Sequence, residues 1–283
     1  MVRSLTSAVS GIQQFQQRMD VIGNNIANVN TVAFKSGRTN LADSFSQTLA
    51  TSNLSGDAAA QIGLGVITSG IYNSYTQGAI NRTGVETDLA VAGDGFFVVR
   101  DALSGNTFVT RAGDFRLDND GYLITNGGLR VQGYNDIGLT TIGDIQIDAS
   151  QRPATVDPTA DMVSFAIDGI GRVGLRMSDG SEFVRAQILM QRFTNPQGLV
   201  KEGNNLYSGI GSAGPLGGAA TPTPAAPGSS GLGRIQSGAL ELSNVDLSNE
   251  FSQLIQTQRA FQANARIMTT SDEMLQELVN IKR

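Results

Sequence analysis

The sequence predicts an α+β protein in which long N- and C-terminal helices pair and a predominantly antiparallel β domain is inserted between them. Two heptad repeats at opposite ends of the chain and a glycine-punctuated alternating pattern in the middle carry that expectation. Leu5, Ile12, Met19 and Ile26 recur every seven residues, and Ala8, Phe15, Ile22 and Val29 follow each by three. Near the C-terminus Leu247, Leu254, Phe261, Met268 and Leu275 repeat the period, with Phe251, Ala265 and Val279 four residues after their seam neighbours. A seven-residue period keeps an apolar stripe facing a partner helix, which is the coiled-coil condition. The two seams are expected to meet.

Residues 3–29 read as one helix whose polar face is Ser, Gln and Asn rather than Lys and Glu. Few exposed i,i+4 ion pairs would support it alone, so an isolated helix of this kind is marginal. The run Gly23-Asn-Asn-Ile-Ala-Asn-Val-Asn-Thr31 should end it, because Asn amides compete for backbone groups and favour caps and turns. The Thr, Ser, Ala and Gly residues from Gln47 to Ala60 have no apolar period and read as an extended loop.

From Ile62 the pattern alternates. Short runs such as Phe96–Arg100, Thr107–Arg111 and Phe183–Phe193 are separated by Asp94-Gly95, Asn119-Asp120-Gly121 and Asn126-Gly127-Gly128, the residues that supply positive-φ positions in hairpins. Residues 208–233 are mostly Gly, Pro, Ala, Ser and Thr and read as a linker. The last helix is expected to start near Ser243-Asn-Val-Asp246, a capping arrangement. The expected organisation is a terminal helical core domain of 1–38 with 234–283, a connecting segment at 39–61, a β-rich outer domain at 62–207 and a linker at 208–233.

Composition excludes several kinds of chemistry. The chain has 283 residues, 16% of them charged, a net charge of −5, and no Cys or His. The commonest nucleophile, acid–base group and soft metal ligands are therefore missing, and no Lys/Arg run exists to neutralise phosphates. No enzyme activity, cofactor, metal or nucleic-acid partner is expected. No run of about 18 apolar residues occurs, so membrane insertion is not expected. A cleaved signal is not expected either, because Ser4, Thr6, Ser7 and Ser10 interrupt the N-terminal apolar pattern.

Three features resemble sites and fail on context. Gly169-Ile-Gly171-Arg-Val-Gly174 has dinucleotide-loop spacing but strand-like flanks, so a turn between two strands is the better reading. Asp118-Asn-Asp120-Gly121 begins like a calcium loop, yet Tyr122, Leu123 and Leu129 stand where ligands and a glycine are needed. Asp94, Asp114, Asp118 and Asp120 lie beside or close to glycines, in turns where Asp serves the backbone. What remains is self-assembly: uncharged helical seams at both ends suit a subunit whose non-closing contacts build a helical filament.

The sequence resembles the bacterial flagellar axial proteins of the rod and hook. Met19 to Lys35 is similar to their Asn-Asn-x-Ala-Asn-x-x-Thr-x-Gly-Phe-Lys signature, matching at Asn24, Asn25, Asn28, Thr31, Phe34 and Lys35 and departing at Ala33, where the family has Gly. Further matches run from Thr87 to Val99, from Thr110 to Phe115, from Leu240 to Leu247 and from Gln256 to Asn264.

The resemblance implies a tubular polymer whose paired terminal helices form a coiled-coil core around an export channel. It implies export without a cleaved signal through the flagellar type III apparatus. Leu41 and Phe45 resemble the short motif that engages the export gate, with Leu41 where that motif has Phe. The implied self-assembly residues are Leu5, Ile12, Phe15, Met19, Ile22, Ile26, Leu247, Leu254, Phe261, Met268 and Leu275. The implied partners are copies of the chain, the adjacent rod, hook-cap and hook–filament junction proteins, and the export apparatus.

The chain's start and ending look most like hook proteins, so a torque-transmitting hook subunit is the first expectation. A distal rod subunit is the alternative. The length is near that of distal rod proteins, and the stretch from Phe45 to Gly65 is longer than in short hook forms and is associated in the family with rod-like stiffness. From a different class, a β-rich surface ligand-binding module remains open.

Overall fold

The computed structural model describes residues 2–50, 60–148, 152–153, 157, 160–216 and 223–281. The chain divides into two compact units. The first contains residues 1–29, 35–74 and 245–283, and the second residues 30–34 and 75–244.

In the first unit, α1 (Val2–Ala27) and α2 (Leu247–Ile281) lie against each other. α1 stops within the Asn-rich run: the Asn28 backbone N–H donates to the Asn24 carbonyl at 3.1 Å, and its side-chain amide donates to the same oxygen at 2.9 Å. α2 starts behind Asp246, whose Oδ1 accepts from the backbone N–H groups of Ser248 and Asn249 at 2.9 and 3.4 Å, satisfying donors that the first helical turn leaves bare.

The segment expected to be an extended connection is a two-stranded ribbon. β1 (Gly37–Asp43) pairs antiparallel with β4 (Val66–Asn73), and β2 (Ser46–Ala50) pairs with β3 (Ala60–Gly63). Hydrogen bonds from Ser44 to Gly65 and from Leu64 to Phe45 carry the ladder from one pair into the other. A bulge falls between Asn40 and Leu41. The return arm lies within the alternating run expected from Ile62, whereas the first arm is hard to see in sequence because Phe45 is exposed and burial imposes no polar–apolar pattern on it.

The second unit is the β domain. Its main sheet places strands in the order 162–167, 172–177, 182–188, 130–134, 96–100, 107–110, 206–208 and 200–203, with antiparallel neighbours throughout. Leu89, Phe97, Val131, Leu175 and Ile188 are fully buried in its principal core. Phe97 and Phe115 meet edge to face, with ring centroids 5.1 Å apart. A second cluster stacks Phe96 between Phe193 and Tyr207 at 5.7 and 6.0 Å. Gly169–Gly174 forms a strand turn, in which Asp168 Oδ1 accepts from the N–H groups of Ile170 and Arg172.

Three expected boundaries move. Residues 62–74, expected in the outer β domain, belong to the first unit. Residues Arg234–Ser237 and Ala239–Glu241, expected in the terminal helical domain, are strands of the second unit, paired with Leu89–Ala92 and Ile80–Arg82. The described parts of the expected linker are packed rather than free. Ile210, Ala213 and Leu232 are buried, and Ala225 and Pro215 bridge Met190 and Phe193. Residues 217–222 lie outside the described residues.

A buried ion pair fastens the second unit. Arg111 Nε donates to Glu241 Oε2 at 2.8 Å, and the guanidinium also donates to the carbonyls of Gly93 and Gly95. Glu241 Oε1 accepts from the Gly78 N–H at 2.8 Å, and its carbonyl accepts from the Ala33 N–H at 2.8 Å. Ala33, where the family has Gly, is fully buried and holds φ +55. The left-handed turn survives the substitution at a cost of roughly 1 kcal/mol.

Replacing Arg111 by Leu strands the Glu241 carboxylate, and the loss expected is about 3–5 kcal/mol of unfolding free energy. Urea denaturation followed by tyrosine fluorescence measures it.

Candidate assembly site

The first unit is built around Asn25. This residue is 3% exposed. Its Nδ2 donates to the Gly37 carbonyl at 2.8 Å and to Glu250 Oε1 at 3.2 Å, and its Oδ1 accepts from the Gly37 N–H at 2.9 Å. One amide thereby joins the end of α1 to the first residue of β1 and to the first turn of α2. No other neutral side chain of this length offers two donors and an acceptor in one plane except Gln, which is one methylene longer.

From Asn25 the two helices run antiparallel in a single register. Gly11 meets Asn264, with an ideal Cβ on Gly11 falling 2.6 Å from Asn264 Nδ2. Arg18 Nη2 donates to Gln253 Oε1 at 3.4 Å. Moving fourteen residues up α1 from Gly11 to Asn25 moves fourteen back along α2, from Asn264 to Glu250.

The inter-helix contact therefore has a polar row beside its apolar one. On α1 it is Gly11, Arg18 and Asn25, flanking Ala8, Phe15 and Ile22. On α2 it is Glu250, Thr257 and Asn264, flanking Leu254, Phe261 and Met268. Thr257 and, one heptad beyond Asn264, Ser271 are buried, and each hydroxyl donates to the carbonyl four residues back in its own helix. That satisfies the hydroxyl without a partner across the seam.

The expected seam residues fall into three groups. Ile22 is buried, while Leu5, Ile12, Phe15, Met19, Ile26, Leu254, Phe261, Met268 and Leu275 are half-buried. Leu247 is exposed, as are Phe251 and Val279. Of the row expected four residues after the α2 seam, Phe251 and Val279 thus face solvent and Ala265 is half-buried, and the polar row takes its place against α1. Ile267, Met274 and Ile281 are also exposed, so α2 presents apolar side chains on both flanks of its contact with α1.

α1's Gln- and Ser-rich face has its own function. Ser10 Oγ accepts from the Val66 N–H at 3.4 Å, and the Thr68 hydroxyl bonds Gln14 and Gln17. The spacing 10, 14, 17 is one helical face, and it is the face on which the ribbon lies. Leu41 is half-buried at the bulge, and Phe45 is 86% exposed. Of the signature residues, Asn24 and Asn28 bond each other at the end of α1. Thr31 accepts the Phe34 N–H at 3.3 Å, Phe34 lies beneath the Lys201 ammonium at 4.8 Å, and Lys35 is buried.

Glu250 is the one carboxylate in this contact. Burial pushes its pKa up, and Asp246 adds to the rise, against the opposing pull of the Asn25 amide and the Arg18 guanidinium. A carboxyl raised in the folded state contributes stability while it is protonated, and that contribution is lost as pH rises through the raised value. Glu250→Gln is therefore expected to stabilise the helix pair by about 1 kcal/mol at pH 7. The difference from the natural protein should vanish below pH 4; the helix content of the free subunit, read by far-UV circular dichroism at the two pH values, measures it.

Comparison with known proteins identifies the class. The chain matches three family models: "Flagella basal body rod protein" over residues 5–35, "Flagellar hook protein FlgE/F/G D1 domain" over 90–175, and "Flagellar basal body rod FlgEFG protein C-terminal" over 236–281. It belongs to the flagellar rod and hook protein family. Among its relatives, the flagellar basal-body rod protein FlgG of Bacillus subtilis is 43% identical over the full length of both chains. FlgG of Agrobacterium fabrum is 34% identical over 96% of this chain and 97% of its own. The flagellar hook protein FlgE of Borreliella burgdorferi is 27% identical over the full length of both, across 449 aligned positions.

Proposed function

We propose that the chain is a structural subunit of the flagellar basal-body distal rod rather than of the hook. The observation that carries this reading is the 43% end-to-end identity with a rod protein over 288 aligned positions, against 27% with a hook protein over 449. The N-terminal similarity that favoured the hook lies in a segment matched by a model described as a basal body rod protein, and the C-terminal one falls largely in a segment matched by a basal body rod FlgEFG model.

In this reading the paired helices are one protomer's share of a multi-helix coiled-coil core around the export channel. The exposed rows on α2 support it, since a solitary protomer leaves Phe251, Ile255, Ile267, Met274 and Leu278 in water. Exposed apolar rows of this extent mark sites of association. Association covers them and drives the helices to fold, so the terminal segments are disordered in the exported monomer and order on assembly. Leu41 and Phe45 are assigned to the export gate, where they act in the unfolded chain. The chain has no enzymatic role and no cofactor; its partners are its own copies, the neighbouring axial proteins and the export apparatus.

Leu254, Phe261 and Met268 changed together to Ser should abolish sedimentable polymer while the β unit keeps its near-UV circular dichroism and melting temperature. Electron cryomicroscopy of isolated hook–basal bodies tests the location: density for this chain in the straight periplasmic segment supports the rod. Density in the curved external segment returns the hook reading.

A further inference from the structure

The polar row between the helices leaves one oxygen unmatched. A cavity of about 360 Å3 opens where α1, β1 and the start of α2 converge, lined by Arg18, Ile22, Gly37, Thr39, Asn249 and Glu250 among others. Thr39 and Glu250 are each 9% exposed, and Thr39 Oγ1 and Glu250 Oε2 are buried with no hydrogen-bond partner. Native proteins satisfy nearly all such atoms, because leaving a buried acceptor bare is unfavourable, the more so when it is charged. The cavity's own cations do not meet the need. Arg18 is turned to Gln253, Arg38 is exposed, and no ion pair to Glu250 forms among the described residues.

We propose that this cavity receives a guanidinium from α2 of a second copy of the chain, supplied by Arg259 or Arg266. A guanidinium is a planar fork of five N–H donors with no acceptor, so one head group can donate to both Glu250 Oε2 and Thr39 Oγ1. Arg259 and Arg266 are exposed and form no ion pair among the described residues. They are seven residues apart and so share one row of the helix. That row lies on the side of α2 away from the Leu254 and Phe261 stripe, five residues or roughly 140° round from each. Arg259 is nine residues from Glu250, about 13.5 Å along the axis, and faces the other way, so it does not reach its own cavity. Placing the back of one α2 against the front of the next is a heterologous contact, the kind that propagates instead of closing. The inference rests on the polymerising-subunit reading and supplies a residue-level contact for it.

The chain contains no Cys, which makes thiol cross-linking specific. Asn249 is exposed at the cavity. Copies carrying Asn249→Cys, mixed with copies carrying Gln262→Cys, which is exposed on the same row between Arg259 and Arg266, are polymerised and treated with a short bis-maleimide linker. Cross-linked dimers of unlike copies in the sedimented polymer are the expected result. Polymer that sediments without them overturns the guanidinium receptor and leaves the subunit reading standing; failure of the unmodified chain to polymerise at all defeats both. In a second arm Glu250→Gln should raise the critical concentration for polymerisation at least about tenfold, although the same change stabilises the isolated helix pair. An unchanged critical concentration overturns the proposal.

Discussion

The amide of Asn25 is the constraint on which the terminal unit depends. It ties the last turn of α1 to β1 and to the first turn of α2, through three hydrogen bonds at 2.8, 2.9 and 3.2 Å. Those bonds fix where the ribbon leaves α1 and set the antiparallel register that brings Gly11 to Asn264. The pairing of apolar rows would tolerate a slip of one heptad, because Leu254, Phe261 and Met268 are interchangeable as hydrophobes. A buried polar row is not interchangeable in that way, and a single polar contact at a helix seam is the best-attested device for specifying register.

The two units differ in how much apolar surface they leave uncovered and in how their buried charges are matched. The β unit closes around fully buried Leu89, Phe97, Leu175 and Ile188, and its buried charges are matched: Arg111 by Glu241, and Arg185 by Asp148 at 3.0 Å. The helical unit exposes Phe251, Ile255, Ile267, Met274 and Ile281 and keeps a bare carboxylate oxygen at Glu250. Local stability follows buried apolar contact, so the β unit is expected to be the stable part of a free subunit and the helices the conditional part. That asymmetry suits a chain delivered unfolded and completed by its neighbours.

Much of this was legible in the sequence. The seven-residue periods located both helices, the Asn run marked the end of α1, Asp246 marked the start of α2, and the glycine turns placed the β unit. Only the return arm of the ribbon was legible, within the alternation that begins at Ile62; the first arm, 37–50, was not, because Phe45 is exposed and burial imposes no pattern there. The polar row was hidden for a related reason: Glu250, Thr257, Asn264 and Ser271 have the heptad spacing, but hydrophobic periodicity does not register polar residues. The strands at 234–241 fall within the span expected for the terminal helical domain, since strands of three and four residues, the first with Ile235 as its one apolar residue, are too short to identify. Arg111 and Glu241 sat inside quoted motifs, yet only the fold brings residues 130 positions apart together.

The central claim is that the terminal helices fold with their neighbours while the β unit folds alone. Amide hydrogen exchange, followed by mass spectrometry on the same chain as monomer and as polymer, tests it most directly. Peptides from 2–27 and 247–281 should exchange within seconds in the monomer and become protected by at least about a hundredfold in the polymer, an opening cost of some 2.7 kcal/mol. Peptides from 96–134 should be protected in both. Helices as protected in the monomer as the β strands would contradict the account.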